Sequence, residues 1–589
     1  MRQFFKIFFA SFLALTIFSI IAFIIMIGWI AALASSVTTD KPSSVGGKGI
    51  LYLDLGQSIH EQGQDNPLSA LNADDQYDTP GLYDIVRLVK YAKTDSSIKG
   101  IYLKCAENAN GFATSDELRS ALLDFKTSKK FIYAYADVIS QRAYYVANMA
   151  DKIYCNPKGG LEWKGFALQY MFFKQTLDKI GIEPQIFYAG KFKSATEPFR
   201  TDHMTEANRL QSSVFLNDLY NRFLTETASA RHLDTTTLHG YANAMTIQTA
   251  DDAVKYKLID GAKYDDEIKD EIKRLLGENN KYKINFVPIG KYAKSVSFKN
   301  GSGTDKIALI FAQGDIVDGK GTKDQIGGDT YRSLIRTARM DDNIKAIVVR
   351  VNSGGGSAMA SENMWRELEL AKKQKPVVLS FGDYAASGGY YMSCGADSIF
   401  TEANTLTGSI GVFSIVPNLK KFFNDKLGIT FDGVKTSPYA DMPTASRPLT
   451  EMEKKFLQND VDSIYYTFVH RVSAGRRIAA ALVDSIGQGR VWTGSRGIEL
   501  GLADKLGSLQ DAINCAAGMA KLKEYRLKEY PEPLSWLETL LGGYKKSIQA
   551  KAMKEELGEQ GMNMYNSIKK IKESVGTTQA RMPFEIIIN

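Results

Sequence analysis

Histidine and cysteine are scarce in this chain: five and four in 589 residues. The cysteines (Cys105, Cys155, Cys394, Cys515) stand far apart, with no CxxC pair and no Cys/His cluster. That argues against a zinc site and against a disulfide scaffold, and leaves each as a small buried apolar residue. The histidines (His60, His203, His232, His239, His470) have no motif around them, and none is near Ser387 in sequence. A one-signed charge excess is missing too. The net charge is only +7, from 73 basic and 66 acidic residues, with no dense Lys/Arg stripe, so nucleic acid is not an expected partner. No metal and no cofactor is called for.

Only one long apolar run occurs. Ile7–Ala34 is 28 uncharged, mostly apolar residues preceded by Arg2 and Lys6. About 20 residues already cross the hydrocarbon core, whereas a secretory signal carries an apolar region of roughly 7–15. The run reads as an uncleaved anchor with a cytoplasmic N-terminus. A long signal peptide ending at Ala32-Leu33-Ala34 is the alternative.

Much of the remaining chain is written twice. Asp95, Ile98, Lys99, Ile101, Ser115 and Asp137 reappear as Asp341, Ile344, Lys345, Ile347, Ser361 and Asp383, each 246 residues on. Tyr144-Tyr145, Ala150-Asp151, Ile153 and Gly165 return in the same register as Tyr390-Tyr391, Ala396-Asp397, Ile399 and Gly411. Each copy alternates apolar strands with helices. Strands are expected at Ile50–Leu55, Gly100–Leu103 and Phe131–Tyr135, then at Ile307–Ala312, Ala346–Val351 and Val377–Phe381. Helices are expected at Tyr83–Lys93 and Thr330–Arg339, and opening near Thr114-Ser115 and Ser361. That pattern predicts an α/β fold with largely parallel pairing. The expected divisions are 1–45 (cytoplasmic tip and anchor), 46–296 (first repeat), 297–306 (linker), 307–525 (second repeat) and 526–589 (tail). The tail carries a Lys/Glu-rich helix at Lys545–Lys572 and a short terminal strand at Met582–Ile588.

The copies part company where chemistry would sit. Gly382–Tyr391 reads GDYAASGGYY, with Ser387 between an apolar strand and a helix, the layout of a nucleophile at a sharp turn. The first copy has Gln141-Arg142-Ala143 where the second has Ser387-Gly388-Gly389. The second copy also holds Asn352-Ser353-Gly354-Gly355-Gly356-Ser357 after a strand, able to expose backbone N–H groups to an oxyanion. Asp137 and Asp383, shared by both copies, read as turn or cap residues. A serine without histidine needs another base, and a lysine held neutral is the known option. Lys193-Ser194 in the first copy aligns on Thr436-Ser437 in the second, where the approach Ile429–Val434 resembles the strand-like Pro184–Tyr188. The losses are reciprocal: the serine survives in one copy and the lysine in the other.

With YAASGGYY, NSGGGSAMASE from Asn352, LTGSIGVF from Leu406 and KFKSATEPF from Lys191, the chain resembles the signal peptide peptidase A family in its long, duplicated, anchored form. The likeness runs from Met1 to about Lys521. One departure is Gly354, where many relatives have proline. The resemblance implies two tandem Clp protease/crotonase-like repeats behind one transmembrane helix, and a serine endopeptidase with a Ser–Lys dyad. It implies Ser387 as nucleophile and Lys193, rather than Lys191, as base. It also implies Ser409 orienting the lysine, and backbone N–H groups of Gly355 and Gly388 holding the oxyanion. Implied partners are signal-peptide remnants and other apolar peptides, the lipid bilayer, and three further copies in a bowl-shaped homo-tetramer. The implied location is the bacterial inner membrane with the catalytic part periplasmic. A working lysine has to be desolvated, and Phe192 and Phe199 fit that role. Glu197, whose charge would raise the amine's pKa, is expected to point away, toward an arginine or the backbone. Whether the dyad forms within or between chains stays open; the reciprocal losses favour one chain. Competing readings are a catalytically weak peptide- or membrane-protein-binding scaffold and a crotonase-type acyl-CoA enzyme, the latter disfavoured by the anchor.

Overall fold

The computed structural model describes residues 2–38, 45–63, 80–278, 283–298, 301–532 and 577–582. The expected helix at Lys545–Lys572 lies outside them, as does nearly all of the expected strand at Met582–Ile588. The N-terminal helix runs from Arg2 to Thr38, and none of its most apolar stretch, Lys6–Ile25, is covered by the rest of the protein. It is long and apolar enough to span a membrane.

Two largely parallel sheets carry the repeats. The first has the spatial order Gly261–Ala262, Lys152–Leu161, Phe131–Ile139, Ile98–Lys104, Gly49–Asp54, Phe286–Pro288, every neighbour parallel. The second has Val377–Ala386, Ile344–Ser353, Lys306–Gln313 and Arg526–Tyr530 in the equivalent order, also parallel. Their strands read as unbroken apolar runs because helices cover parallel sheets on both faces; Ile307 to Ala312 are all buried. Arg526–Tyr530, assigned to the tail from sequence, is the counterpart of Phe286–Pro288 and belongs to the second sheet.

The duplication extends to single interactions. Lys130 donates to the carbonyls of Ala92 and Asp95, and Lys375 to those of Ala338 and Asp341. Tyr144 donates to Leu258 O and Tyr390 to Leu502 O. Each half contains a 26-residue helix, Glu206–Arg231 and Glu451–Arg476, each ended by a left-handed residue, His232 and Arg477. The helices expected to open near Thr114-Ser115 and Ser361 open a few residues earlier, at Phe112 and Ala358. Ser115 and Ser361 lie one turn inside their helices, donating to Gly111 O and Ser357 O. Ser357 caps the second-copy helix itself.

A third, mixed sheet joins the halves. Glu183–Ala189 of the first half pairs antiparallel with Val412–Asn418 of the second, Ala189 opposite Val412. The stretch Ile429–Val434, expected to mirror that first strand, is irregular and exposed instead. The ladder takes one strand from each repeat, so the second repeat contributes Val412–Asn418 and not a counterpart of Glu183–Ala189. Where a loop and the helix Phe112–Lys126 of the first repeat meet the second sheet lies a buried ion cluster. Arg350, with no exposed surface, donates to Glu61 at 2.8 Å, to Glu117 at 2.5 Å and to Ser380 at 2.9 Å.

Candidate active site

Ser387 ends the strand Val377–Ala386 and precedes the helix Gly388–Ser393. Its φ of 52° and ψ of −114° lie where non-glycine residues are rare, so the turn carries strain that the surroundings must hold. They hold it by pairing: Leu406–Gly408 runs alongside the strand's end, and Ser387 N donates to Gly408 O at 2.8 Å. The next residue, Ser409, also has positive φ, 51°, and its N–H is fixed on Arg490 O. The two serines are thus set side by side by adjacent strand ends.

The lysine arrives from the other repeat. Past Ala189 the chain turns at Gly190, and Phe192 N donates to Gln488 O at 2.8 Å. Lys193 then faces the serines. Its Nζ is 2.8 Å from Ser387 Oγ, 3.2 Å from Ser409 Oγ and 3.3 Å from Ser409 O. Lys193, Ser387 and Ser409 are all fully buried. Burial holds the Lys193 amine well below the usual lysine range. Phe192 and Phe199 are buried too, Phe199 among Ala195, Phe413 and Ile415. Glu197 points away, accepting from Thr205 N, Thr205 Oγ1 and Asn208 Nδ2, with Arg200 at 3.6 Å. Ser387 Oγ in turn lies 3.3 Å from Gly411 O.

Gly355 and Gly388 come together beside the serine: a Cβ on Gly355 would stand 2.7 Å from Gly388 N. Gly355 takes φ 99°, open to glycine and costly for other residues. Its N–H donates to Ser353 Oγ at 3.1 Å. Gly388 is the first residue of its helix, where N–H groups lack intrahelical acceptors. Against both glycines lies the Ala580 carbonyl oxygen, which would be 2.1 Å from a Gly355 Cβ and 2.9 Å from a Gly388 Cβ. Ala580 belongs to the strand Gln579–Arg581, which pairs antiparallel with Gly355–Ser357.

Sequence reasoning missed the supports. Gly489, with φ 79°, leaves room for the Lys193 backbone, and Gln211 holds the same turn by donating to Phe192 O and Ser194 Oγ. The Gly487-Gln488-Gly489-Arg490 punctuation ahead of an apolar strand was the available signal for the first. Asp383 is a cap, but across the repeats: it accepts from Thr114 N at 2.9 Å and Thr114 Oγ1 at 2.7 Å at the start of Phe112–Lys126. Asp137 instead accepts from Tyr135 and Asn156.

Comparison with known proteins agrees with this doubled arrangement. The pattern of Peptidase family S49 matches residues 124–278 and again 369–523. Protease 4 of Salmonella typhi is 34% identical, over 88% of this chain and 82% of its own. Protease 4 of Haemophilus influenzae is 31% identical over 89% of both chains. The chloroplastic serine protease SPPA of Arabidopsis thaliana is 32% identical over 78% of this chain and 69% of its own. Matched in both halves and along most of its length, the chain belongs to Peptidase family S49.

Proposed function

We propose that the protein is a membrane-anchored serine endopeptidase that cleaves remnant signal peptides and other apolar peptides with Ser387 as nucleophile and Lys193 as general base. The observation that carries this reading is the 2.8 Å contact between Lys193 Nζ and Ser387 Oγ, fully buried. A neutral amine there accepts the Oγ proton as Oγ attacks the peptide carbonyl. The resulting ammonium then protonates the departing amine, and water hydrolyses the acyl-enzyme with Lys193 again as base. Ser409 keeps the amine on Ser387. Gly388 N–H, with Gly355 N–H once it exchanges Ser353 Oγ for the substrate, stabilises the oxyanion.

The N-terminal helix supports a single-pass anchor, and we place the catalytic part on the periplasmic side of the bacterial inner membrane. Phe431, Val434, Tyr439 and Phe456 are exposed and apolar, which supports burial against further copies in a homo-tetramer. Hydrolysis of an apolar peptide by wild type, Ser387→Ala and Lys193→Ala tests the core reading. Loss of at least about 10³-fold in both variants is expected. Equal rates in all three would sink it.

A further inference from the structure

The third sheet has an unusual member. Gln579–Arg581 is its fourth strand, with Gly355–Ser357 on one side and Val412–Asn418 on the other. Among the described residues it is what joins those two strands. Without it the sheet has a gap one strand wide, bordered by two ladder edges, beside Ser387. An unpaired edge is a template for an extended peptide.

The segment is seated residue by residue. Ala580 is fully buried, with its carbonyl oxygen against Gly355 and Gly388. Met582, also buried, packs with Phe215, Leu219, Ala386 and Leu406. Arg581 forms an ion pair with Asp315, and Thr578 Oγ1 donates to Asp460 Oδ2 at 2.9 Å. Met582 borders a cavity of about 530 Å³ between the repeats, lined also by Ser353, Gly354, Arg142 and Asp383. An extended chain, a small buried side chain and a carbonyl oxygen at the glycine pair are what a bound peptide needs.

We infer that the segment around Ala580 is a built-in pseudosubstrate: it fills the peptide slot and keeps the enzyme latent until an incoming chain displaces it. The inference rests on the reading of Ser387 and Lys193 given above. It also assigns a preference for a small residue at the position Ala580 occupies.

The test uses the full chain with Ala580→Asp, which puts a charge into a dry slot, and a second variant ending at Gly576. Unfolding transitions establish which variants are folded. Two quantities are read: kcat/KM on a short soluble peptide, and, in a Ser387→Ala background, binding of a fluorescent TTQARMPF peptide by anisotropy. Freeing the slot is expected to raise kcat/KM at least about 10-fold and tighten peptide binding by a similar factor. Adding the unlabelled peptide in trans should bring the rate back down. Unchanged rate and unchanged binding in a folded variant overturn the inference. If no chain hydrolyses peptide yet binding still tightens, the slot stands and the dyad reading falls. If hydrolysis is present but neither quantity changes, the reverse holds.

Discussion

A Cβ on Gly489 would stand 2.7 Å from both the Cα and the N of Lys193, two residues 296 apart in sequence but pressed backbone to backbone. With φ at 79°, Gly489 is barred to other residues on two counts. Gly489→Ala should lower stability by about 1–3 kcal/mol and kcat/KM by at least about 10-fold, because the lysine turn must move. Gly433→Ala, where a Cβ meets nothing within 4 Å, serves as the neutral comparison. Urea denaturation and steady-state kinetics read both.

The buried amine also sets a pH dependence. Desolvation lowers the Lys193 pKa in the fold, so kcat/KM should rise with pH along an inflection well below the ~10.4 of free lysine. The linkage follows the same sign. In the window between the depressed folded value and the unfolded one, the unfolded chain binds the extra proton, so this group makes stability rise with pH. Lys193→Met should therefore be more stable than wild type at pH 7, by about 1–3 kcal/mol, with the advantage shrinking as pH approaches ~10. Thermal unfolding across pH gives the answer.

Ser409 Oγ accepts from Lys193 Nζ at 3.2 Å, a bond that favours the charged form of the amine. Ser409→Ala should cut kcat about 10–100-fold with KM changed less than about twofold. It should also move the inflection to lower pH, since the ammonium loses an acceptor. A purely structural serine would leave the inflection in place.

Arg350 holds Glu61 and Glu117 together in the interior, two first-repeat carboxylates on one second-repeat guanidinium. Arg350→Met leaves both without their cation and should cost about 3–5 kcal/mol. Burial raises the Glu117 pKa, so in the variant the fold takes up protons that the unfolded chain does not. The loss should thus be smaller at pH 5 than at pH 8 by equilibrium denaturation.

The parts of the site legible in sequence were those the duplication exposed by contrast. Ser387 against Gln141, and Lys193 against Thr436, differ where their surroundings repeat. Features with no counterpart left no such trace. Glu61, Glu117 and Arg350 look like surface charges in one dimension, because they are buried only where a loop and a helix of the first repeat meet a strand of the second. The ladder of Glu183–Ala189 on Val412–Asn418 breaks the internal symmetry, so extending the repeat to Ile429–Val434 misled. The strand Gln579–Arg581 is three residues long and far from its neighbours in sequence, too short for any periodicity to show. Strand and helix order, by contrast, followed from apolar runs and their spacing.

The joint ladder has a consequence for symmetry. Two copies of the second half brought together as a twofold pair would bring Ser387 twice and Lys193 not at all; two copies of the first half would do the reverse. Only the unlike pair completes Lys193 on Ser387. The two halves of this chain therefore behave as a fixed heterodimer that happens to be covalently joined, and neither can stand in for the other.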